Sequence, residues 1–171
     1  MLLCRVFSMV VLPISLVLLV TALVTNHWLV AYGIKSSMYS GLWQECRDGQ
    51  CTAPATPFEY IIATRAFLIL ASLLALGSAL FPFFSFIPAP CGNRRAALYS
   101  AVASLTAGLF TLIAVAVYTA ETWSKPTDPQ VYIKYEWSFY LGWAAFPMLL
   151  LPGISSLITY SYSSDSAYEQ L

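Results

Sequence analysis

Residues 41–51 read Gly41-Leu42-Trp43-Gln44-Glu45-Cys46-Arg47-Asp48-Gly49-Gln50-Cys51, a turn-rich polar stretch in a chain that is otherwise mostly apolar. Cys46 and Cys51 flank Arg-Asp-Gly-Gln. An Asp-Gly step between short β-prone runs is a strong hairpin signal, because glycine accepts the positive φ that such turns need. Closing that hairpin brings the two cysteine Cβ atoms into disulfide range. A disulfide persists only on the oxidising side of a membrane, so the stretch reads as part of a luminal or extracellular loop. The alternative is a pair of free thiols. A metal centre has less behind it, since His27 is the chain's only histidine. The ring is small, and loop-closure entropy for so few residues is worth about 2 kcal/mol, enough to stiffen the hairpin tip but not to hold a fold together.

On either side of this loop the chain is membrane-like. Of its 171 residues 59% are hydrophobic and 9% charged, against roughly 45–50% and 25% in soluble domains. A bilayer-crossing helix needs about 20 mostly apolar residues. Four stretches qualify, at 6–25, 66–87, 96–118 and 138–160. The expected architecture is an α-helical membrane protein, a single four-span domain over 1–171. Pro13, Pro82, Pro147 and Pro152 fall inside these spans, where neighbouring helices can satisfy the freed carbonyls. The first span exceeds the usual 7–15-residue core of a signal peptide and no clear A-x-A site follows it, so it reads as a retained anchor.

Four crossings put both termini on one side. The short connection 88–95 carries Arg94 and Arg95 without an acid, and Arg5 precedes the first span. The positive-inside tendency makes that connection, the N-terminus and the tail 161–171 cytoplasmic, and loops 26–65 and 119–137 luminal. The cysteine pair argues independently for the same orientation. Cys4 and Cys91 then lie beside helix ends on the cytoplasmic side, where cysteines are candidates for reversible palmitoylation; plain buried thiols are the alternative.

The luminal loops read as a small antiparallel sheet. Residues 28–34 and 38–44 are β-prone runs ahead of the hairpin, and Val131, Ile133 and Tyr135 alternate with Tyr132, Lys134 and Glu136 in the period of a half-buried strand. Neither loop can bury an apolar face alone, so the strands are expected to combine. Trp28 and Trp43 are expected on the membrane-facing side of the sheet, and Tyr132, Tyr135, Trp137, Tyr140 and Trp143 in an interfacial aromatic belt.

Little points to chemistry. Arg65 is the only ionisable residue near a span's interior, and reads as an interfacial anchor or a partner for Glu59 or Glu136. His27 reads as a solvent-facing side chain. No nucleophile elbow, zinc-protease helix, phosphate loop or dinucleotide fingerprint is present. We therefore expect no catalytic residue, no metal, no cofactor and, at a formal net charge of zero without a basic run, no nucleic-acid partner. Asn26 and Asn93 do not open glycosylation sequons. Ser100, Ser104 and Gly108 recur at every fourth position beside Ala97, Ala101, Ala103 and Ala107, with Gly77 and Ala79 in the second span; such faces pack a bundle internally or pair it with itself or another membrane protein. The tail ends Tyr168-Glu-Gln-Leu171, a tyrosine and a bulky aliphatic at the spacing that sorting adaptors read as an extended strand. A PDZ groove is the other reader of such an end.

Trp28, Gly41-Leu42-Trp43, Cys46, Cys51 and Arg65, in this order across four spans, resemble the claudin, epithelial membrane protein and peripheral myelin protein superfamily. Within it, Met1-Leu-Leu-Cys4-Arg5, Ala116-Val-Tyr-Thr-Ala-Glu-Thr-Trp123, Pro129-Gln130 and the Tyr168–Leu171 end are most similar to the natural killer cell granule protein seven group. Glu136-Trp-Ser-Phe-Tyr-Leu-Gly-Trp143 resembles both that group and the lens fibre membrane intrinsic proteins. The resemblance implies a claudin-like fold, a place in cytotoxic or lysosome-related granule membranes and the plasma membrane, and a part in granule trafficking and exocytosis. Claudin-like adhesion is the alternative, though the first loop is short and Glu45, Asp48 and Glu59 form no obvious charged lining. An accessory role beside a channel or receptor is a third.

Overall fold

Long uninterrupted apolar runs leave their backbone no water to bond with, so each satisfies itself as a helix. In the computed structural model, which describes residues 2–33, 37–84, 93–124 and 131–168, the chain runs α1 (Leu2–Val24), β1 (Leu29–Tyr32), β2 (Ser37–Ser40), β3 (Glu45–Arg47), β4 (Gln50–Thr52), α2 (Glu59–Phe84), α3 (Asn93–Ser124), β5 (Tyr132–Tyr135) and α4 (Trp137–Tyr168). Within the helices, Val6–Val24, Glu59–Leu80, Ala97–Ser124 and Trp137–Ile158 are each long and apolar enough to cross a bilayer.

The helices outrun the spans read from hydropathy. Helix α2 starts at Glu59, directly after Pro57 and Phe58, with an acid in its first turn where the helix dipole favours one. Charged Glu59 and Arg65 end the apolar run at 66 but do not end the helix, so Arg65 sits in the second turn of α2 rather than at its start. Helix α4 likewise continues through the serine-rich stretch to Tyr168, since propagation adds one hydrogen bond per residue fixed. Pro13 lies inside α1, and Pro147 and Pro152 inside α4.

The bundle is a ring in which α1 packs on α2 and α4, and α3 packs on both as well. Its centre is built from small and aliphatic residues, among them Leu19, Leu68, Ala71, Ala107, Ala145 and Leu149. The small-residue face of α3 packs inside the bundle, one of the two uses expected for it. The Ser78 hydroxyl donates to the Ser100 carbonyl at 2.9 Å. The Ser104 hydroxyl donates to the Leu149 carbonyl at 2.6 Å. A Cβ added to Gly108 would come within 3.1 Å of Leu150. Ser100, Ser104 and Ala107 are thus spent inside the protomer and offer no face to a partner. Gly77 is the exception, with nothing within 4 Å of an added Cβ.

The five described strands form one antiparallel sheet in the order β4-β3-β2-β1-β5, so the strand from the later loop does pair with the first. The β1–β5 register sets Leu29 against Tyr135 and Tyr32 against Tyr132. Asp48 and Gly49 have φ of 51° and 83°, the two positive values that a two-residue hairpin turn demands, and Cys46 pairs with Cys51 across it. The two sulfurs are bonded. The strands are shorter than the expected runs, with β1 covering Leu29–Tyr32 and β5 Tyr132–Tyr135. β2 stops at Ser40 instead of running to Gln44, because the Gly41 N–H donates to the Gln44 carbonyl at 3.0 Å and closes a loop.

Candidate interaction site at the junction of sheet and bundle

A helix leaves its last four carbonyls without intrahelical partners, and near a bilayer each unpaired one is expensive. In α1 these belong to Thr21, Ala22, Leu23 and Val24. The Thr25 N–H and hydroxyl both donate to the Thr21 carbonyl, at 3.2 and 2.6 Å. The Trp28 indole N–H donates to Ala22 at 2.7 Å and the Trp43 indole N–H to Leu23 at 2.8 Å. Both tryptophans expected from sequence therefore serve as caps for successive carbonyls of one helix end. Their surroundings differ. Trp28 is fully buried against the helices, 4.7 Å from the Tyr118 ring and 6.1 Å from Phe139. Trp43 remains 40% exposed.

Arg65 reaches this corner from α2. Its Nε donates to the Leu42 carbonyl at 2.8 Å, its Nη2 donates to the same oxygen, and its guanidinium carbon lies 4.7 Å from the centre of the Trp43 ring. Arg65 was expected as an interfacial anchor or as a partner for Glu59 or Glu136; the partners recorded for it are a carbonyl and an aromatic face. Arginine suits that arrangement because a planar guanidinium can donate in its plane and stack across it. Gly41 completes the corner. A Cβ there would land on the Asn26 Cα and within 2.8 Å of its Oδ1, so only glycine lets loop 41–44 lie against the α1 exit.

The opposite side of the junction holds the start of α4. The Glu136 N–H donates to the Trp28 carbonyl at 3.0 Å, the Ser138 N–H to His27 at 3.2 Å, and the Ser138 and Thr25 hydroxyls lie 2.7 Å apart. His27 is half-buried rather than solvent-facing, stacked on Trp137 at 5.5 Å with Tyr39 edge-on at 5.2 Å. Tyr135 stacks on Phe139 at 4.1 Å, and burial pushes its phenol above the usual range. A Cβ on Gly142 would come within 3.1 Å of Val115 and 3.8 Å of the Trp28 ring, which explains a glycine facing the largest buried side chain.

Of the expected belt, Tyr132, Trp137 and Tyr140 are well exposed, whereas Tyr135 and Trp143 pack against the core. Phe58 and Trp123 join the exposed set without having been expected. Sequence reasoning also missed Asn26, Tyr118, Ser138 and Gly142. Gly142 next to a tryptophan was the one visible signal; the others become recognisable only when four chain segments meet. The Cys4 and Tyr168 side chains, and Cys91 and Leu171 altogether, lie outside the described residues.

Four membrane-length helices, a five-stranded sheet made from both connecting loops, and a paired-cysteine hairpin coincide with a match to the PMP-22/EMP/MP20/Claudin family over residues 1–155. The chain belongs to this family. It is 37% identical to Protein NKG7 of Mus musculus over 168 residues, 98% of each chain, and 34% identical to Protein NKG7 of Homo sapiens over 169 residues, 99% of each. It is 31% identical to the lens fiber membrane intrinsic protein of Homo sapiens over 148 residues, 86% of each. In this family member Trp28, Trp43 and Gly41 hold the sheet and loop 41–44 against the α1 exit, and Arg65 ties the same loop to α2. The junction they build has its interior filled by aromatic rings.

Proposed function

We propose that this protein is a non-enzymatic tetraspan component of lysosome-related or cytotoxic granule membranes, where it regulates granule trafficking and exocytosis. Both termini face the cytoplasm and the sheet faces the lumen. The observation that carries the proposal is likeness to Protein NKG7 along almost the whole of both chains, joined to the granule-group resemblance of the sequence. The junction supports a structural role, since the Trp28 and Trp43 indoles and the Arg65 guanidinium donate to backbone carbonyls. Arg5, Arg94 and Arg95 support the orientation, as does an oxidised Cys46–Cys51 pair. The Tyr168–Leu171 end supplies the address, read by a sorting adaptor.

The test is the location of full-length protein tagged at its N-terminus, beside Tyr168→Ala. Vesicular staining that overlaps lysosomal or granule markers and moves to the plasma membrane in the variant supports the proposal. Steady concentration at cell–cell contacts, indifferent to Tyr168, supports adhesion instead.

A further inference from the structure

Between β4 and α2 the chain reads Thr52-Ala-Pro-Ala-Thr-Pro57. We propose that Thr52 and Thr56 are acceptors for mucin-type O-glycosylation, each hydroxyl taking an N-acetylgalactosamine. The proposal rests on the luminal orientation given above, because sugar transfer of this kind happens in the secretory lumen.

Three observations converge on these two hydroxyls. Both threonines are exposed, as are the neighbouring Ala53 and Ala55, whose methyl groups leave the approach clear. Residues 53–58 belong to no helix or strand. Pro54 and Pro57 each fix φ near −65°, lack an N–H, and hold the residue before them in extended backbone. The segment bends at Ala55 and Thr56 with Pro54 and Pro57 half-buried, which turns the Thr56 hydroxyl outward, and threonine among prolines is the compositional mark of O-glycosylated stalks. Finally, the two hydroxyls are free among the described residues. The contrast lies within the chain. Thr64, Thr106, Thr111, Thr119 and Thr122 all sit in helices and donate to the carbonyl four residues back.

The transfer balances simply. The threonine Oγ1 attacks the anomeric carbon of UDP-N-acetylgalactosamine and forms the C–O bond. The bond from that carbon to the phosphate oxygen breaks, UDP departs with its electron pair, and the hydroxyl proton is released. Nothing is oxidised or reduced.

The placement has a consequence. β4 is one of the two edge strands of the sheet, and Thr52 is its last residue, opposite Glu45. An exposed edge strand invites pairing with another chain. A sugar at Thr52 blocks that approach.

Arg47 and Arg65 make the test direct, since trypsin cleaving after both yields peptide 48–65 with Thr52, Thr56 and Thr64 together. Full-length protein from mammalian cells is alkylated with and without prior reduction, digested, and sequenced by electron-transfer mass spectrometry. We expect N-acetylhexosamine-based glycans on Thr52 and Thr56 and none on Thr64, which is fully buried. Thr52→Ala with Thr56→Ala should remove them, and Pro57→Ala should lower occupancy at Thr56 several-fold with its hydroxyl intact. An unmodified peptide from protein whose Cys46 and Cys51 resist alkylation until reduced overturns the proposal and leaves the orientation standing. An unmodified peptide with both cysteines freely alkylated overturns both. A hexose in place of N-acetylhexosamine overturns the assigned sugar class.

Discussion

The guanidinium carbon of Arg65 lies 4.7 Å from the centre of the Trp43 ring, while the same side chain donates twice to the carbonyl of Leu42. One residue of α2 thus grips two consecutive residues of a loop that is 23 positions earlier in the chain. Trp43 in turn caps α1. The loop is therefore the piece through which α1 and α2 are fastened at the sheet end.

Removing that grip has a definite expected cost. Arg65→Ala leaves the buried Leu42 carbonyl without its donor, a loss of about 1–3 kcal/mol, and withdraws the cation–π contact, worth about 0.5–1 kcal/mol at a partly exposed site. Arg65→Lys should recover less than half, because an ammonium is a point donor that cannot also stack. Thermal unfolding in detergent micelles checks this. A lysine variant as stable as the parent would show that charge at this position matters and the planar geometry does not.

The two tryptophans separate capping from packing. Trp28→Phe keeps most of the buried ring but deletes the N–H that serves Ala22, and should cost about 1–3 kcal/mol for the orphaned carbonyl. Trp28→Ala adds a large cavity beside Tyr118 and should cost about 3–5 kcal/mol from the lost ring alone. At Trp43, half open to the surroundings, the Phe and Ala variants should differ much less. Denaturation midpoints for the four variants decide it, and equal Phe-to-Ala gaps at both sites would contradict the distinction.

The difference between these sites shows what the sequence could carry. The helices, the Asp48-Gly49 turn and a strand near 131–135 follow from local rules, namely apolar length, positive φ and period two; the helices run past the hydropathy bounds, and the strand forms without the expected alternation, since Tyr132, Ile133 and Lys134 are all exposed and only Tyr135 is half-buried. The partners of Arg65 and the depth of Trp28 do not follow from local rules. They depend on where α1 ends relative to residue 41, and no spacing within the sequence encodes which carbonyl will be left exposed. Charge suggested an acid for Arg65 because opposite charges are the simplest pairing, yet the buried loop carbonyl of Leu42 competes well for its donors. The hydropathy boundary at 66 failed for a related reason: it registers side-chain polarity, while the helix start at Glu59 is set by Pro57 and the dipole.

Two glycines should respond in opposite directions to the same substitution. Gly41→Ala places a methyl group on the Asn26 backbone, which cannot give way as a side-chain end could. The overpacking cost is about 1–3 kcal/mol, and the loop should move off the α1 exit. Gly77→Ala meets open space inside helix α2 and should stabilise by roughly 0.5–1 kcal/mol through reduced backbone entropy. Parallel thermal melts of both variants provide the check; destabilisation by Gly77→Ala would mean that an unrecorded partner uses the gap.

The Cys46–Cys51 bridge is expected to act locally. It spans five positions, and closing so small a ring contributes on the order of 2 kcal/mol through the unfolded state. That contribution belongs to β3 and β4, which lie at the sheet's free end, whereas β1 and β5 are joined to the bundle through Trp28 and Glu136. Replacing both cysteines with serine should therefore speed hydrogen exchange of the β3–β4 amides and leave the β1–β5 ladder and the helices protected. Equal loss of protection in α2 would mean that the hairpin supports the Arg65 clasp from outside, since β2 and loop 41–44 stand between the two. Unchanged exchange in β3–β4 would mean that the Asp48-Gly49 turn and the ladder hold the hairpin without the bridge.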